Sequence, residues 1–452
     1  MTKNTTTLDT FMSKNSTTEN SIMNTNINNK KHTKDENKNT SQIRYQEFTD
    51  EWNQDKLIDV CNYVDYRGKT PYKTDKGIFL ITAKNVKKGY IDYEASKEYI
   101  SEEDYQEVMH RGLPKIGDVL ITTEAPFGNV AQIDKENIAL AQRVIKYRGK
   151  KDVIDNSYLT YYLLSPEFQR KLYSISSGGT VKGVKGSILH KQKIKYPSLP
   201  EQQQIGQFFK KIDQQITAQQ EKIQHHKQQK KALLQQMFPT GDSTIPKIRY
   251  PGYDDEWCEY KLGETLKELK SGLSRKLSNQ DIGLPVVRAN NIKNNIFNID
   301  SDVKYWYVND PQGAKTKNYL IKENDILINF INGSSSQIGT SAVVLSKPNR
   351  DMIYTTNILK ASLKDDFDTY FWFLLTQTYN YHKDILKIMK PAVQNSFTTV
   401  DFKKLRYNFP SLPEQQQIGE FFKKIDQQIQ LNQNKLEDMK QMKKGLMQRM
   451  FV

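Results

Sequence analysis

Four short loops of this sequence concentrate cationic, hydroxyl and amide side chains around glycine and proline. They are RGKTPYK (67–73), SSGGTVKGVKGS (176–187), SGLSRK (271–276) and KPAVQNS (390–396). Cations and small hydroxyls bind phosphates, whereas Arg, Lys, Asn and Gln read base edges. Glycine lets the backbone approach a phosphate closely. We therefore expect DNA contacts from Arg67, Lys69, Thr70, Tyr72, Thr180, Lys182, Lys185, Ser274, Arg275, Lys276, Gln394, Asn395 and Ser396.

Two apolar runs end in similar polar triplets, AKN (83–85) and ANN (289–291), the second preceded by an arginine. Because the two runs resemble each other, the triplets place amide side chains at corresponding positions of the two halves. We expect readout to diverge at Lys84 and Asn290. The alternative is that these loops are polar only because they are exposed. The further candidates for DNA contact are Lys84, Asn85, Arg288, Asn290 and Asn291.

Motifs for catalysis or metal binding are missing from the sequence. It contains no GxxxxGK phosphate loop, no GxGxxG, no N/D-P-P-Y/F loop, no HExxH and no Cys-x-x-Cys pair. His225 and His226 are adjacent, so on a helix they point to different faces. We expect no catalytic residue, no metal site and no cofactor in this chain. A centre assembled from distant carboxylates stays open as an alternative.

The charge balance favours a polyanionic partner. The 452 residues carry 67 Lys and Arg against 52 Asp and Glu, for a formal net charge of +15. DNA is the first expectation, and an anionic membrane the second. The longest apolar clusters, 158–164 and 369–375, are far shorter than the roughly 20 residues of a membrane-spanning helix. With two cysteines and no secretory signal, we expect a cytoplasmic location.

The chain contains an internal repeat. IRYQEFTDEW (43–52) matches IRYPGYDDEW (248–257), and GDVLIT (117–122) matches NDILIN (324–329). The strongest match joins 197–216 to 410–429, which differ only at Gln207 and Glu420. Each half therefore contains a variable stretch of short strand-like runs and a helical patch, followed by a nearly invariant helix.

A 3-4 spacing of apolar residues in both invariant segments predicts two long helices that form a coiled coil. Polar Gln219, Asn432, Lys230 and Lys443 interrupt the pattern at equivalent positions, as residues that fix register do. The alternative is that each helix packs on its own domain. The predicted seam consists of Phe209, Ile212, Ile216, Ile223, Leu233, Phe422, Ile425, Ile429, Leu436 and Leu446.

The predicted fold class is α+β. Two domains with twisted β-sheets are separated by two long helices in an antiparallel coiled coil, and the internal repeat follows a pseudo-two-fold axis. The expected boundaries are a disordered polar tail (1–42), a first domain (43–198), a central helix (199–240), a second domain (241–411) and a C-terminal helix (412–452).

From 43 to 452 the chain resembles the specificity subunit of type I restriction-modification systems. The resemblance rests on the two LPEQQQI segments (199–205 and 412–418), the helices behind them and the IRY…DEW openings. It implies that the variable domains are target-recognition domains, each reading half of a split DNA sequence, with the helices as a ruler for the gap. It also implies two methyltransferase subunits and later restriction (translocase) subunits as partners, and these partners would use S-adenosylmethionine, ATP and Mg²⁺.

Two rival functions remain open. A coiled-coil scaffold would bind proteins through its variable domains, and its binding would be insensitive to salt. A self-contained enzyme would modify or cut DNA without partners. Neither rival accounts for the repeat and the basic balance together, so we expect a non-catalytic specificity subunit.

Overall fold

In a computed structural model, the chain is described at residues 27–29, 41–66, 71–241, 243–300 and 302–451. It divides into two compact units. Unit 1 comprises residues 1–219 and 435–452, and unit 2 comprises residues 220–434. The division passes through both long helices rather than along the boundaries expected from the sequence. Those domain boundaries stay a prediction.

The helices of the described chain include two very long ones and several short ones. They are α1 (Leu57–Val60), α2 (Tyr105–Val108), α3 (Asn156–Leu164), α4 (Pro166–Ser174), α5 (Gly186–Leu189), α6 (Leu199–Met237), α7 (Leu262–Thr265), α8 (Thr369–Leu375), α9 (Tyr379–Ile388), α10 (Thr399–Lys404) and α11 (Leu412–Met450).

The strands are short and fall into two series. Unit 1 contains β1 (Ile27–Asn29), β2 (Ile43–Tyr45), β3 (Asn53–Lys56), β4 (Cys61–Asp65), β5 (Ile78–Ile81), β6 (Tyr99–Ile100), β7 (Val119–Thr122), β8 (Val130–Gln132), β9 (Ile138–Leu140), β10 (Val144–Gly149) and β11 (Lys193–Tyr196). Unit 2 contains β12 (Cys258–Lys261), β13 (Leu266–Ser271), β14 (Gly283–Val287), β15 (Ile292–Lys293), β16 (Ile296–Phe297), β17 (Tyr305–Tyr307), β18 (Ile326–Asn329), β19 (Ile331–Asn332), β20 (Ser341–Val343), β21 (Ile353–Tyr354), β22 (Ile358–Leu363), β23 (Asn395–Ser396) and β24 (Arg406–Phe409).

The two units have the same sheet topology. Unit 1 has an antiparallel sheet in the order β4-β10-β7-β8, and unit 2 has one in the order β13-β22-β18-β20. A three-stranded sheet, β6-β5-β9 or β17-β14-β21, follows in each unit, with a parallel pair in both. The pairs β11-β3 and β12-β24 also correspond. The internal repeat therefore extends through the variable stretches, and the predicted α+β class is confirmed.

Buried ion pairs hold equivalent strands of the two main sheets. Lys146 on β10 lies 3.5 Å from Asp118, and both side chains are at most 5% exposed. Lys360 on β22 lies 3.6 Å from Asp325 in the same relation. These carboxylates belong to the GDVLIT and NDILIN segments, which explains why an acid precedes the apolar run in both halves. An unpaired buried charge is costly, so each pair constrains its sheet.

The nearly invariant LPEQQQI segments attach each long helix to its own domain. The Gln202 side chain accepts a hydrogen bond from the Asp155 backbone N–H (2.9 Å) and donates one to the Pro197 carbonyl (2.9 Å). Gln415 makes the same two bonds in unit 2, to Asp368 (3.0 Å) and Pro410 (2.9 Å). These contacts lie at the start of each helix, so the identity of the two segments has a structural reason.

A second anchor uses the IRY openings. Arg44 donates two hydrogen bonds to Glu201, at 2.8 and 2.7 Å, and Arg249 donates two to Glu414, both at 2.8 Å. Both carboxylates are fully buried. Burial raises the pKa of Glu201, and the hydrogen bonds from Arg44 oppose that rise. The IRY segment that opens each half is thereby tied to the helix that closes it.

Glycine is required near the start of both long helices because the chain passes close to another helix there. A Cβ on Gly206 would lie 2.9 Å from the Tyr158 backbone nitrogen, and a Cβ on Gly419 would lie 2.6 Å from an Asp368 carboxylate oxygen. Such distances are too short for a side chain. Glycine destabilises a helix by about 1 kcal/mol relative to alanine, and here it allows the close approach.

The long helices run antiparallel, as contacts inside each unit establish. In unit 1, Phe209 of α6 stacks on Phe451, which follows α11, and Asp213 pairs with Lys443 at 2.5 Å. In unit 2, Lys230 of α6 pairs with Asp426 of α11 at 2.7 Å. Residues early in one helix thus meet residues late in the other. Burial lowers the pKa of Lys230, which Asp426 opposes.

The predicted seam residues lie along these helices at buried or half-buried positions. The seam residues classed as buried are Phe209, Ile212, Ile223, Phe422, Ile429 and Leu446, and the half-buried ones are Ile216, Leu233, Ile425 and Leu436. Asn432 is 7% exposed. Each unit therefore packs helix on helix and also helix on domain, because its core clusters include residues from both.

The polar tail predicted over 1–42 falls mostly outside the described residues. Within it, β1 pairs antiparallel with β2, and the Gln42 backbone N–H donates to the Arg449 carbonyl at 2.9 Å. The expectation of a wholly disordered tail is therefore corrected at these positions.

Candidate nucleic-acid interface

Several loops of unit 1 converge where strands of its two main sheets end. Thr123 donates its backbone N–H to the Arg143 carbonyl, and Val184 donates its own to the Thr123 carbonyl. Glu124 and Gly183 form an isolated bridge. We call residues 71–73, 82–85, 124–126, 141–143 and 177–184 the first loop cluster. It contains a concavity of about 310 Å³ lined by Pro71, Lys73, Leu80, Thr82, Ala83, Lys84, Glu98, Ala125, Ala141, Gln142 and Arg143.

Unit 2 brings together the corresponding loops. Leu273 donates to the Tyr354 carbonyl, and both Phe330 and Ile331 donate to the Asn357 carbonyl. Strand β19 pairs with β23, which places residues 331–332 beside residues 395–396. We call residues 273–276, 288–291, 331–334, 355–357 and 390–396 the second loop cluster. All four loops singled out in the sequence thus reach these two clusters through described residues.

Asn85 and Asn291, predicted to contact DNA, have a structural role instead. Asn85 is fully buried, and its side chain accepts from Thr82 (2.9 Å to the backbone) and donates to two carbonyls. Asn291 is 2% exposed; it accepts from Arg288 N–H (2.9 Å) and donates to the Asn298 carbonyl (3.0 Å). The expectation for both is wrong because their amides are consumed in closing the turn.

The residue before each of these asparagines is exposed. Lys84 and Asn290 occupy equivalent positions and both face solvent. Lys84 forms no ion pair with any residue in the described ranges of the chain. The turn therefore presents one variable side chain per unit while its asparagine holds the backbone.

Two predicted arginines are engaged in internal ion pairs. Arg275 is 14% exposed, and its guanidinium lies 2.5 Å from the buried Asp310 carboxylate. Arg275 holds the pKa of Asp310 well below its usual range, helped by backbone N–H donors. Arg288 donates to Asp302 at 2.8 Å, and with Lys304 it lowers the pKa of that carboxyl to about 2. Both guanidiniums are paired and mostly buried, at 14% and 22% exposure, so we assign both arginines to loop structure.

The remaining candidates lie on exposed or half-exposed parts of the clusters and of neighbouring loops. Lys182 lies over the Tyr173 ring, and Asn395 donates to the Gly333 carbonyl at 3.2 Å. Ser396 takes part in backbone pairing. Arg67, Lys69 and Thr70 lie outside the described residues. The candidates classed as exposed are Tyr72, Thr180, Lys185, Ser274, Lys276 and Gln394.

Each cluster also contains one pair of candidate contact residues that was not predicted from the sequence. Gln142 and Arg143 line the concavity beside Lys84. Thr356 and Asn357 occupy the same backbone positions in unit 2, since Phe330 donates to Asn357 as Thr123 donates to Arg143. Both pairs interrupt an apolar run, IALAQRVIKY or MIYTTNILKA. Aligning these two runs would have revealed them.

The cationic side chains of the first cluster pair with carboxylates that a ligand can displace. Lys73 pairs with Glu98 at 2.6 Å, and Arg143 pairs with Glu124 at 2.8 Å. Both side chains of the Arg143–Glu124 pair are more than 40% exposed. Exposed pairs contribute about 0–1 kcal/mol, so a phosphate or a base can displace the carboxylate.

A large cleft lies elsewhere, and its lining includes lysine, arginine, asparagine and glutamine side chains. It measures about 900 Å³ in unit 2, beside α11, and is lined by residues such as Ile296, Leu345, Gln430 and Gln433. None of the predicted DNA-contacting side chains lines it. Because the predicted side chains lie on the loop clusters and not in this cleft, the loop clusters are the candidate interface.

A family model described as the type I restriction modification DNA specificity domain matches this chain twice, at residues 49–225 and 254–441. The chain belongs to this family. Each match contains one loop cluster and most of one long helix. The two copies of the family domain thus correspond to the two halves of the repeat.

Individual relatives carry the same description. Two specificity subunits of type I restriction enzymes from Methanocaldococcus jannaschii match: MjaX is 29% identical over 200 residues and MjaVIII is 24% identical over 340. The chain covers 46% of MjaX and 77% of MjaVIII, using 44% and 73% of its own length. The EcoKI specificity subunit of Escherichia coli K12 is 19% identical over 220 residues, or 46% of that protein.

Solved structures support the fold of this specificity-domain family. The S subunit of a type I restriction-modification system from M. genitalium superposes with a TM-score of 0.59 at 14% identity, covering 91% of this chain and 99% of that one. A chain from a type I R-M system gives 0.53 at 15% identity, covering 88% and 96%. At such identities the likeness concerns the fold alone.

Two further features of the described residues bear on the chemistry. No group of three or more His, Cys, Asp or Glu side chains is arranged there to hold a metal ion. Among the same residues, no helix combines the length and the apolar character needed to cross a membrane.

Proposed function

We propose that this chain is the DNA sequence-recognition subunit of a type I restriction-modification complex. It binds a bipartite DNA site, with one half-site read by each recognition domain and the gap set by the long helices. The observation that carries this proposal is the shared sheet topology of the two units, which presents loop clusters of different sequence at equivalent positions. A constant framework with varied loops is what reading two different half-sites requires.

The chemistry of the clusters supports contact with a duplex. Lys185 and Lys276 are exposed cations on loops, suited to phosphates, and the net charge of +15 adds long-range attraction. Exposed amides such as those of Asn290 and Gln394 can bond to base edges. Phosphate contacts fix position and base contacts supply sequence preference.

The chain acts through partners and is not itself an enzyme. Two methyltransferase subunits dock on it, and restriction (translocase) subunits join that complex. S-adenosylmethionine, ATP and Mg²⁺ belong to those partners. The location is cytoplasmic, where the DNA and the partners are found.

The helices offer a similar docking surface in both halves, apart from the exposed pair Gln207 and Glu420. Four polar residues are exposed in both copies, so packing does not explain why they are identical. They are Gln203, Gln204, Lys211 and Gln214 in α6, repeated as Gln416, Gln417, Lys424 and Gln427 in α11. Exposed residues that stay the same while the domains diverge support binding of the same partner twice.

Binding of the complex to a duplex across a salt series tests recognition against the scaffold alternative. Contacts to phosphates release counterions, so the affinity should fall by orders of magnitude between about 50 and 200 mM salt. The control is a duplex of the same length with a scrambled sequence, which should bind more weakly at every salt concentration. Binding that does not change with salt, or that occurs only to proteins, would support the scaffold.

A further inference from the structure

Three hydrogen bonds define equivalent positions in the two loop clusters. Ala141 donates to the Ile81 carbonyl at 2.9 Å, as Thr355 donates to Val287 at 3.0 Å. The turn-closing asparagines each donate their backbone N–H three residues back, at 3.0 and 2.9 Å. The carbonyls of Arg143 and Asn357 accept from the residue that follows the central strand. The same three backbone hydrogen bonds therefore surround both sites, whereas φ is positive at Arg143 and not at Asn357.

The side chains that this backbone presents differ between the units. Lys84, Gln142 and Arg143 line one concavity in unit 1. Asn290, Thr356 and Asn357 occupy the three equivalent positions in unit 2. None of these six side chains is buried, so each can meet a ligand. A turn with the same hydrogen bonds but different polar side chains in the two units is the arrangement expected of a site that distinguishes bases.

We propose that these three positions in each unit determine which bases that unit reads. The inference rests on the proposed recognition of DNA and adds to it the residues responsible. In unit 1 the determinants are Lys84, Gln142 and Arg143, and in unit 2 they are Asn290, Thr356 and Asn357. Loops farther along the chain position the phosphates.

The residue types indicate which bases are read. Arg and Lys bond to the O6 and N7 acceptors of guanine, whereas Asn bonds to N6 and N7 of adenine. The first unit, with Lys84 and Arg143, therefore reads a guanine in its half-site. The second unit, with Asn290 and Asn357, reads an adenine.

The conformation of Arg143 supports a role beyond packing. Its φ is +74°, a region that arginine rarely adopts, and it is held there by bonds from the Thr123 backbone N–H and hydroxyl to its carbonyl. Strained residues of this kind occur preferentially at functional sites. Its only described ion-pair partner, Glu124, is itself 42% exposed, which leaves the guanidinium available.

Exchange of the three side chains between the units tests this inference. The variant K84N/Q142T/R143N carries the unit 2 residues in unit 1, and N290K/T356Q/N357R carries the reverse exchange. Each is expressed with the partner methyltransferase, and methylated bases are mapped by sequencing. We expect one half-site to change by one or two bases in each variant, with the other half-site intact. Preference for the original base should fall about 5- to 150-fold.

Controls separate the possible failures. Lys185→Asn removes an exposed loop cation outside the three positions, and it should weaken methylation at all sites without changing the motif. If the parent chain directs no methylation motif, the proposed function fails. If the parent gives a split motif that both exchange variants leave unchanged, the assignment of these positions is wrong. Two independent variants keep the test decisive if one of them does not fold.

Discussion

At the scale of single residues, the anchors of the long helices are the most consequential contacts. Glu201 and Glu414 are fully buried carboxylates, each held by two hydrogen bonds from one arginine. Removing one partner of a buried pair leaves a charge that nothing compensates. These anchors explain why IRY and LPEQQQI both recur in each half, although Arg44 and Glu201 are 157 positions apart and Arg249 and Glu414 are 165 apart.

Arg44→Ala should destabilise the protein by about 3–5 kcal/mol at neutral pH. Burial already raises the pKa of Glu201 above that of an unfolded glutamate, and loss of Arg44 raises it further. The folded variant then takes up a proton as the pH falls from that raised pKa toward the unfolded value of about 4.5. The stability deficit should therefore be largest near pH 8 and smaller near pH 5.

Urea denaturation across that pH range measures the effect. The matched control is Arg170→Ala, which removes an exposed arginine that is 75% accessible and pairs with Glu167 on the same helix. That change should cost less than about 1 kcal/mol at every pH. A deficit in the Arg44 variant that is equally small, or that grows as the pH falls, would contradict the proposed anchor.

Residue type alone does not predict which polar side chains are free to contact a base. Asn85 and Asn291 have the chemistry of base readers, but three-dimensional contacts turn both amides inward. Arg275 is likewise committed to Asp310, which lies 35 positions away and could not be paired with it from the sequence. Gln142 and Arg143 were missed because they lie inside an apolar run.

At the scale of elements, the long helices were largely predictable and the sheets were not. The 3-4 spacing and the repeated segment predicted helices that the structure places at Leu199–Met237 and Leu412–Met450. These features are local. The strand order depends on pairing between distant residues, such as β4 with β10, which no local pattern encodes.

Two ion pairs flank the middle of the helix pair. Lys443–Asp213 lies within unit 1 and Lys230–Asp426 within unit 2. Tyr161 and Tyr370 each donate a hydrogen bond to the aspartate of their own unit. Polar groups at such positions specify register, so these pairs determine how the helices align.

Lengthening the helices should therefore lengthen the gap between the half-sites. Seven residues inserted after Gln219, matched by seven after Asn432, keep the seam in phase and keep both ion pairs. The added rise is about 10.5 Å, roughly three base pairs. Mapping the methylated motif should show unchanged half-sites with a longer gap.

The control inserts three residues at the same two positions, which shifts the seam out of phase. We expect that variant to lose stability and methylation together. If the seven-residue insertions leave the gap unchanged, the helices do not set the spacing.

At the scale of the whole molecule, the proposed function depends on partners, and the proposed docking surface for them is the repeated face of the two long helices. Lys211 and Lys424 are exposed at equivalent positions of the repeat. Reversing both charges, in K211E/K424E, should weaken methyltransferase binding at least tenfold, because both copies of the surface are altered. Co-purification and titration measure this loss.

The single variants K211E and K424E should each lose one of two methyltransferase subunits. Lys222→Glu alters an exposed lysine of α6 outside the repeated segment and is the matched control. Retention of both methyltransferase subunits by the double variant would place docking on another surface.

A genome-wide map of methylated bases, in cells with this gene and in cells from which it is deleted, tests the central claim most directly. If the chain reads a bipartite site, one split motif should be methylated in the first cells and lose methylation at both halves in the second. An identical map in both would contradict its role in DNA recognition.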